Sequence, residues 1–368
     1  MEEFSREDVE RGRRYNRPRY LAMAAEFVLA VTTLGLLAFT GLGDALLPSW
    51  PWWSQALVYP AIVLGALELV HLPLAYWRGH VHERRWGLST QGVSGWAVDR
   101  LKALAVSIAI STALFVGLLA LARWTDAWPF VAAPITAAVI VFLTFVAPVV
   151  LEPIFNKFEP LRDQDLADDL RALSDRAGVP VRDVLVADAS RRTTKENAYV
   201  SGFGATRRVV LFDTMLERSQ PPELRAVIAH ELAHRKYRDV VNFTAIGVAA
   251  AIALVFVLWA VLGEEARDPR SIPLALLVLT LAQPLLLVLV AAISRRWEYR
   301  ADTFALRLTR DLAALERTFR RLADSNVADL EPPRVVYWLR HTHPTVPERI
   351  AALRETARVE GLQAEEAA

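Results

Sequence analysis

The stretch Ala226-Val227-Ile228-Ala229-His230-Glu231-Leu232-Ala233-His234-Arg235-Lys236 carries the pattern H-E-x-x-H. On an α-helix, positions i and i+4 share a face, so His230 and His234 aim at one point. Two imidazoles so placed suit a zinc ion. Glu231, one residue on, reaches a water beside such an ion without ligating it. Zinc lowers the pKa of that water toward neutrality, and the carboxylate can take its proton. The helix itself is expected from its start: Ser219 as N-cap, Pro221 and Pro222 in the first turn, and Glu223 at the positive end. Leu224, Val227, Ile228 and Leu232 then recur at helical spacing. Solvent-facing histidines would give the same five letters. The apolar surroundings argue for partners instead, because polar groups in such a helix must be paired.

A third ligand decides between these readings. Downstream lies Arg295-Arg296-Trp297-Glu298-Tyr299-Arg300-Ala301-Asp302. Glu298 and Asp302 share a helix face. Glu298 can complete a two-histidine, one-carboxylate set that leaves a fourth position open. Asp302 can accept a hydrogen bond from the outer nitrogen of a ligand histidine and fix its tautomer. The plainer alternative pairs both carboxylates with Arg295, Arg296 or Arg300 along an exposed helix.

Working outward, the 368 residues are 54% hydrophobic, with net charge +1 and no cysteine. Mean hydropathy is +0.25. Disulfides and Cys-ligated metals are excluded, so one zinc per chain would rest on His and carboxylate. No polybasic stripe points to nucleic acid, and no nucleic-acid partner is expected. Six apolar runs approximate membrane crossings: 21–40, 56–77, 101–122, 130–151, 240–262 and 272–293. The first reads as a retained anchor rather than a signal peptide. Pro134 and Pro148 make the fourth run the weak one. The loop 41–55 has no Lys or Arg, whereas 78–100, 152–239 and the stretch after 294 are rich in Arg. The positive-inside rule then places both termini and the zinc site on the cytoplasmic side of a multi-pass cell-membrane protein. Arg235, Lys236 and Arg238 read as solvated anchors at the interface.

The expected fold is mostly α, a polytopic membrane protein of about six transmembrane helices with a cytoplasmic zincin-like domain holding a small β-sheet. Residues 1–151 form an N-terminal membrane domain with four of the helices. Residues 152–368 form a metallopeptidase domain with the other two. Within the latter, 165–177 reads as an amphipathic helix, and 183–188, 197–202 and 207–212 as strands. An exposed sheet edge beside a metal can hold an extended peptide by backbone hydrogen bonds. The plainer alternative is an ordinary structural hairpin.

These pieces resemble the type I CaaX prenyl protease family, the membrane zinc metalloendopeptidases that include the farnesylated-protein-converting enzyme, and their bacterial relatives. The resemblance rests on Glu83-Arg84-Arg85-Trp86-Gly87-Leu88-Ser89-Thr90-Gln91 with Trp96, Asp99 and Lys102, and on Glu152-Pro153-Ile154-Phe155-Asn156-Lys157-Phe158-Glu159-Pro160-Leu161. It rests also on Asn197-Ala198-Tyr199, Val210-Leu211-Phe212-Asp213-Thr214, the H-E-x-x-H stretch, Glu298 with Asp302, and His343-Pro344 with Glu348-Arg349. It implies that His230, His234 and Glu298 hold zinc and that Glu231 is the general base. It implies an oxyanion-stabilising role for His343. Asn197, with Ala198 and Tyr199, would hold the substrate backbone. Arg349 would bind substrate or brace the acidic site through Asp302 or Glu348. A large wet chamber inside a helical barrel is implied as well. The eukaryotic members have seven membrane helices, one more than the six counted here.

The substrate expected is a peptide or membrane-associated protein met at the bilayer. The alternatives are a non-proteolytic membrane scaffold or quality-control factor, and a proton-coupled transporter using Glu26, Glu68 and His71. Glu68-x-x-His71 also has the spacing of a di-iron bundle pair, but no second such pair lies in another apolar run. His80 and His82 read as solvated, His341 as a bystander, and the tryptophans at 50, 52, 53, 124 and 128 as an interfacial belt. Residues 363–368 read as a disordered tail.

Overall fold

A computed structural model describes residues 4–47 and 49–362; the expected disordered tail, 363–368, lies outside them. Among the described residues, six helices are long and apolar enough to cross a membrane. In chain order these are α1 (Arg6–Phe39), α2 (Trp52–Tyr76, continued to Arg85), α3 (Val93–Trp124) and α4 (Trp128–Val146). After α5 (Gln164–Arg176) and α6 (Pro221–Lys236), both outside the membrane, come the last two, α7 (Asp239–Leu262) and α8 (Ile272–Thr309). They pack as a closed ring, α1–α2–α3–α4–α7–α8 and back to α1. An apolar groove of about 730 Å³, lined by Gly117, Ala120 and Ala132 among others, marks the α3–α4 seam.

Most of these helices outrun their apolar segments. α1 begins at Arg6 because Ser5 and Asp8 cap it reciprocally, with Asp8 N–H to Ser5 Oγ at 3.1 Å and Ser5 N–H to Asp8 at 2.9 Å. Its 34 residues span about 51 Å at 1.5 Å per residue, well over a ~30 Å hydrocarbon layer. α2 likewise continues through a π-helical turn, Trp77–Val81, to Arg85. The expected loop 78–100 is therefore only 86–92. Here His80 and His82 are buried, not solvated. His82 stacks on Tyr15 at 5.2 Å, and its Nε2 lies 2.9 Å from the Tyr15 carbonyl oxygen. Pro148 does interrupt the fourth span, inside a π-helical turn at Ala147–Leu151. Trp50, Trp53 and Trp124 are exposed, but Trp128 is packed inside the ring.

The sheet has four strands: β1 (Phe158–Pro160), β2 (Asp183–Ala187), β3 (Ala198–Ser201) and β4 (Arg208–Phe212). Their order is β1-β2-β4-β3, with β2 and β4 parallel and the outer pairs antiparallel. Strand β1 was not expected from the sequence; three residues ending in Pro160 carry no alternation to read. Strand β3 is an edge. Against the sheet pack α5 and α6; α9 (Leu312–Ser325) and, after the short α10 (Arg334–Arg340), α11 (Val346–Glu360) share the same core. Helix α6 drives Leu224, Ile228 and Leu232 fully into this core, each contributing about 1.5–3 kcal/mol. That burial fixes the rotation of α6 and so the direction of its opposite, polar face. Its cap is Gln220 rather than Ser219: the Glu223 carboxylate accepts the Gln220 N–H at 3.0 Å.

Candidate metal centre and active site

Helix α6 ends in a tight turn at Tyr237 and Arg238, the latter left-handed at φ 59°. The chain then re-enters a helix at Asp239. This geometry folds Asp239 back onto His234, whose Nδ1 lies 2.8 Å from Asp239 Oδ2. The Arg300 guanidinium pairs with the other oxygen of Asp239. One turn up α6, His230 Nδ1 lies 2.8 Å from Asp302 Oδ1. Asp302 is gripped by Arg349, Nη2 to Oδ1 at 2.6 Å and Nε to Oδ2 at 2.8 Å. The Arg349 guanidinium rests on the Phe319 ring at 4.1 Å.

With each Nδ1–H donated to a carboxylate, both imidazoles turn an Nε2 lone pair inward. The two Nε2 atoms stand 3.2 Å apart. Glu298 faces them, Oε2 at 3.3 Å from His230 Nε2 and Oε1 at 3.4 Å from His234 Nε2. Its Oε2 is buried with no hydrogen-bond partner. The three ligand atoms lie within 4.8 Å of one another. Facing lone pairs and an orphaned carboxylate oxygen are tolerable only around a positive charge. The residues present therefore fit a cation, and the donor set is that of a catalytic zinc site. The same carboxylates act on the basicity of His230. Burial pulls its pKa down, but hydrogen bonds to Asp302 and Glu298 outweigh that and carry it up to about 10.

Glu231 lies deep in the same cleft. Burial pushes its pKa up, opposed by the neighbouring His230 and His234. From the loop after α10, His343 brings Nε2 to 3.3 Å from Glu298 Oε1, with its side chain 59% exposed. The Thr342 hydroxyl lies 2.9 Å from its Nδ1; donation from that hydroxyl leaves Nε2–H pointing at the site. His341 turns the other way, toward Tyr20 of α1 at 3.4 Å.

Comparison with known proteins gives the family. Residues 160–357 match the model of peptidase family M48, and residues 1–157 match that of the CAAX prenyl protease N-terminal region, described as five membrane helices. The chain belongs to peptidase family M48. It is a membrane metallopeptidase, CAAX-protease-like. An uncharacterized metalloprotease of Bacillus subtilis, YhfN, is 30% identical over 295 residues, covering 77% of this chain and 69% of the relative. CAAX prenyl protease 1 of Saccharomyces cerevisiae is 29% identical over 332 residues, 82% of this chain and 72% of that one. The crystal structure of S. mikatae Ste24p superposes with a TM-score of 0.78 at 24% identity, over 96% of this chain and 90% of that one. Where the N-terminal family description has five membrane helices, four candidate spans lie among the described residues of 1–157.

Within this M48 chain, the structure brings His230, His234, Glu231, Glu298, Asp302, His343 and Arg349 to one place. Arg349 is turned inward with a side chain 12% exposed. It contacts Asp302, His230, the Phe319 ring and, at 3.7 Å, Glu298. Asn197, Ala198 and Tyr199 stand on or just before β3: Asn197 is exposed, Ala198 is buried in the core, and the Tyr199 hydroxyl donates to Glu152 at 3.3 Å. Arg300 pairs with Asp239 rather than with Glu298 or Asp302. Asp239 is the residue that sequence reasoning missed. It stands five residues after His234, beyond a helix end, where no face-sharing rule links them.

Proposed function

We propose that this M48 chain is a zinc endopeptidase of the H-E-x-x-H type, with His230, His234 and Glu298 holding one zinc ion. The observation that carries this is the convergence of two inward-turned Nε2 lone pairs on a buried carboxylate oxygen without another partner. A zinc ion bound there supplies Lewis-acid activation of water and of the scissile carbonyl. Asp302 and Asp239 hold the two imidazoles in the ligating tautomer. Glu231 takes the proton of the attacking water and delivers it to the leaving amine. His343 donates from Nε2 to the oxyanion of the tetrahedral intermediate. Arg349 fixes Asp302 and thereby His230.

The substrate is a peptide or membrane-associated protein, laid as an extended strand against the free edge of β3. In antiparallel pairing, outward-facing backbone groups alternate. Phe212 N–H donates to the Asn197 carbonyl at 3.0 Å, so Asn197, Tyr199 and Ser201 pair inward with β4, while Ala198 and Val200 present their backbone groups outward. The Arg-rich stretches support a cytoplasmic location for the catalytic face and both termini. Cleavage of a peptide by the purified protein, set against Glu231→Gln, tests the assignment. Equal turnover by both forms would remove it.

A further inference from the structure

The free edge of β3 is not equally open along its length. Ala198 has both outward backbone groups available. Val200 does not, because the Arg235 guanidinium donates to its carbonyl oxygen through Nε at 2.9 Å and again through Nη2. Arg235 directly follows His234 on α6. It also lies over the Phe203 ring at 5.4 Å, and Phe203 packs on Phe145 of α4 at 4.4 Å. A side chain read from the sequence as a solvated anchor is thus wedged between the metal helix, the substrate edge and the membrane ring.

We propose that Arg235 is an end stop for the substrate strand. It occupies the second outward acceptor, and so restricts N–H donation by the substrate to the residue opposite Ala198, leaving the Val200 N–H as a donor only. An unobstructed edge would accept an N–H from that residue and another from the residue two further along. With Val200 capped, the second has no acceptor. The enzyme then selects a short extended segment and gains nothing from a substrate N–H beyond it. This rests on the reading of β3 as the substrate strand.

The test uses the full-length, zinc-loaded enzyme in detergent, with β-casein as a generic unfolded substrate. A decapeptide spanning its principal cleavage site is synthesised in versions that each carry one N-methylated, non-scissile backbone amide. KM and kcat are measured for wild type, Arg235→Met and Arg235→Lys. In wild type, one amide is expected to be sensitive. In Arg235→Met a second becomes sensitive, two residues from the first, with KM rising about three- to ten-fold on its methylation and kcat little changed, the weight of one backbone hydrogen bond. Arg235→Lys keeps a donor and restores the wild-type pattern. Arg235→Ala gives the same comparison should the Met variant not fold. A merely structural role for Arg235 would lower stability without adding a sensitive amide. Two sensitive amides already in wild type, or identical scans for wild type and Arg235→Met, would overturn the end stop and leave the strand reading standing. No sensitive amide in any form would overturn both.

Discussion

At the level of single residues, the site is a set of charges that make sense only around a cation. Glu231→Gln keeps shape and removes the base. It should lower kcat about 10²- to 10⁴-fold with zinc content and fold unchanged, measured by turnover alongside elemental analysis. Asp239→Asn replaces the charged acceptor that orients His234 with a neutral amide shared with Arg300, and so weakens that hydrogen bond. Zinc affinity should fall about 10- to 100-fold in a chelator competition assay. Acid should act through His230. Against burial, hydrogen bonds to Asp302 and Glu298 carry its pKa up to about 10, so a proton competes with metal for the site through the neutral range. Apparent zinc affinity should therefore rise with pH, by about tenfold per unit for one displaced proton, as read by zinc titration between pH 6 and 8. His230, His234, Glu231, Glu298 and Asp302 were legible because helical spacing reports which side chains share a face. Asp239 was not, since its link to His234 passes through a left-handed residue, Arg238, that no periodicity encodes.

Among the elements, the decisive one is the edge strand and its hairpin. Gly202 follows β3 with φ +78°, and a Cβ there would overlap the Thr206 carbonyl oxygen. Gly202→Ala should lower Tm by several degrees, given about 1–2 kcal/mol for the left-handed backbone alone, and raise KM more than it lowers kcat. The strand is also held from the membrane side. Tyr199, Ser201 and Arg208 all donate to Glu152 at 3.2–3.3 Å, and Lys195 pairs with Glu83 at 2.7 Å. Strands β2, β3 and β4 and helix α5 were visible in the sequence through β-branched runs and amphipathic spacing. The lengths of α1 and α2 were not. Hydropathy sees only the apolar segment, whereas Tyr15 and His82 show that the polar extensions bury themselves against each other.

On the scale of the whole molecule, six spans close a ring with polar pairs set into it. Glu26 meets Arg78 at 3.0 Å and Glu68 meets Arg100 at 2.8 Å, joining α1 to α2 and α2 to α3. Arg100→Leu strands the Glu68 charge and should destabilise the detergent-solubilised protein; adding Glu68→Gln should recover most of that loss, as followed by thermal unfolding. The absence of cysteine makes topology directly measurable. A lone cysteine replacing Ser49 should react with a membrane-impermeant maleimide on intact cells, and one replacing Arg162 only after lysis. The claim beneath all of this is that helices from opposite ends of the metallopeptidase region meet around one ion. X-ray absorption at the zinc edge of the purified protein tests it most directly. One zinc per chain is expected, with two imidazole nitrogens at about 2.0–2.1 Å and the remaining neighbours oxygen. A protein fully active without zinc, or a zinc spectrum lacking the paired imidazoles, would contradict it.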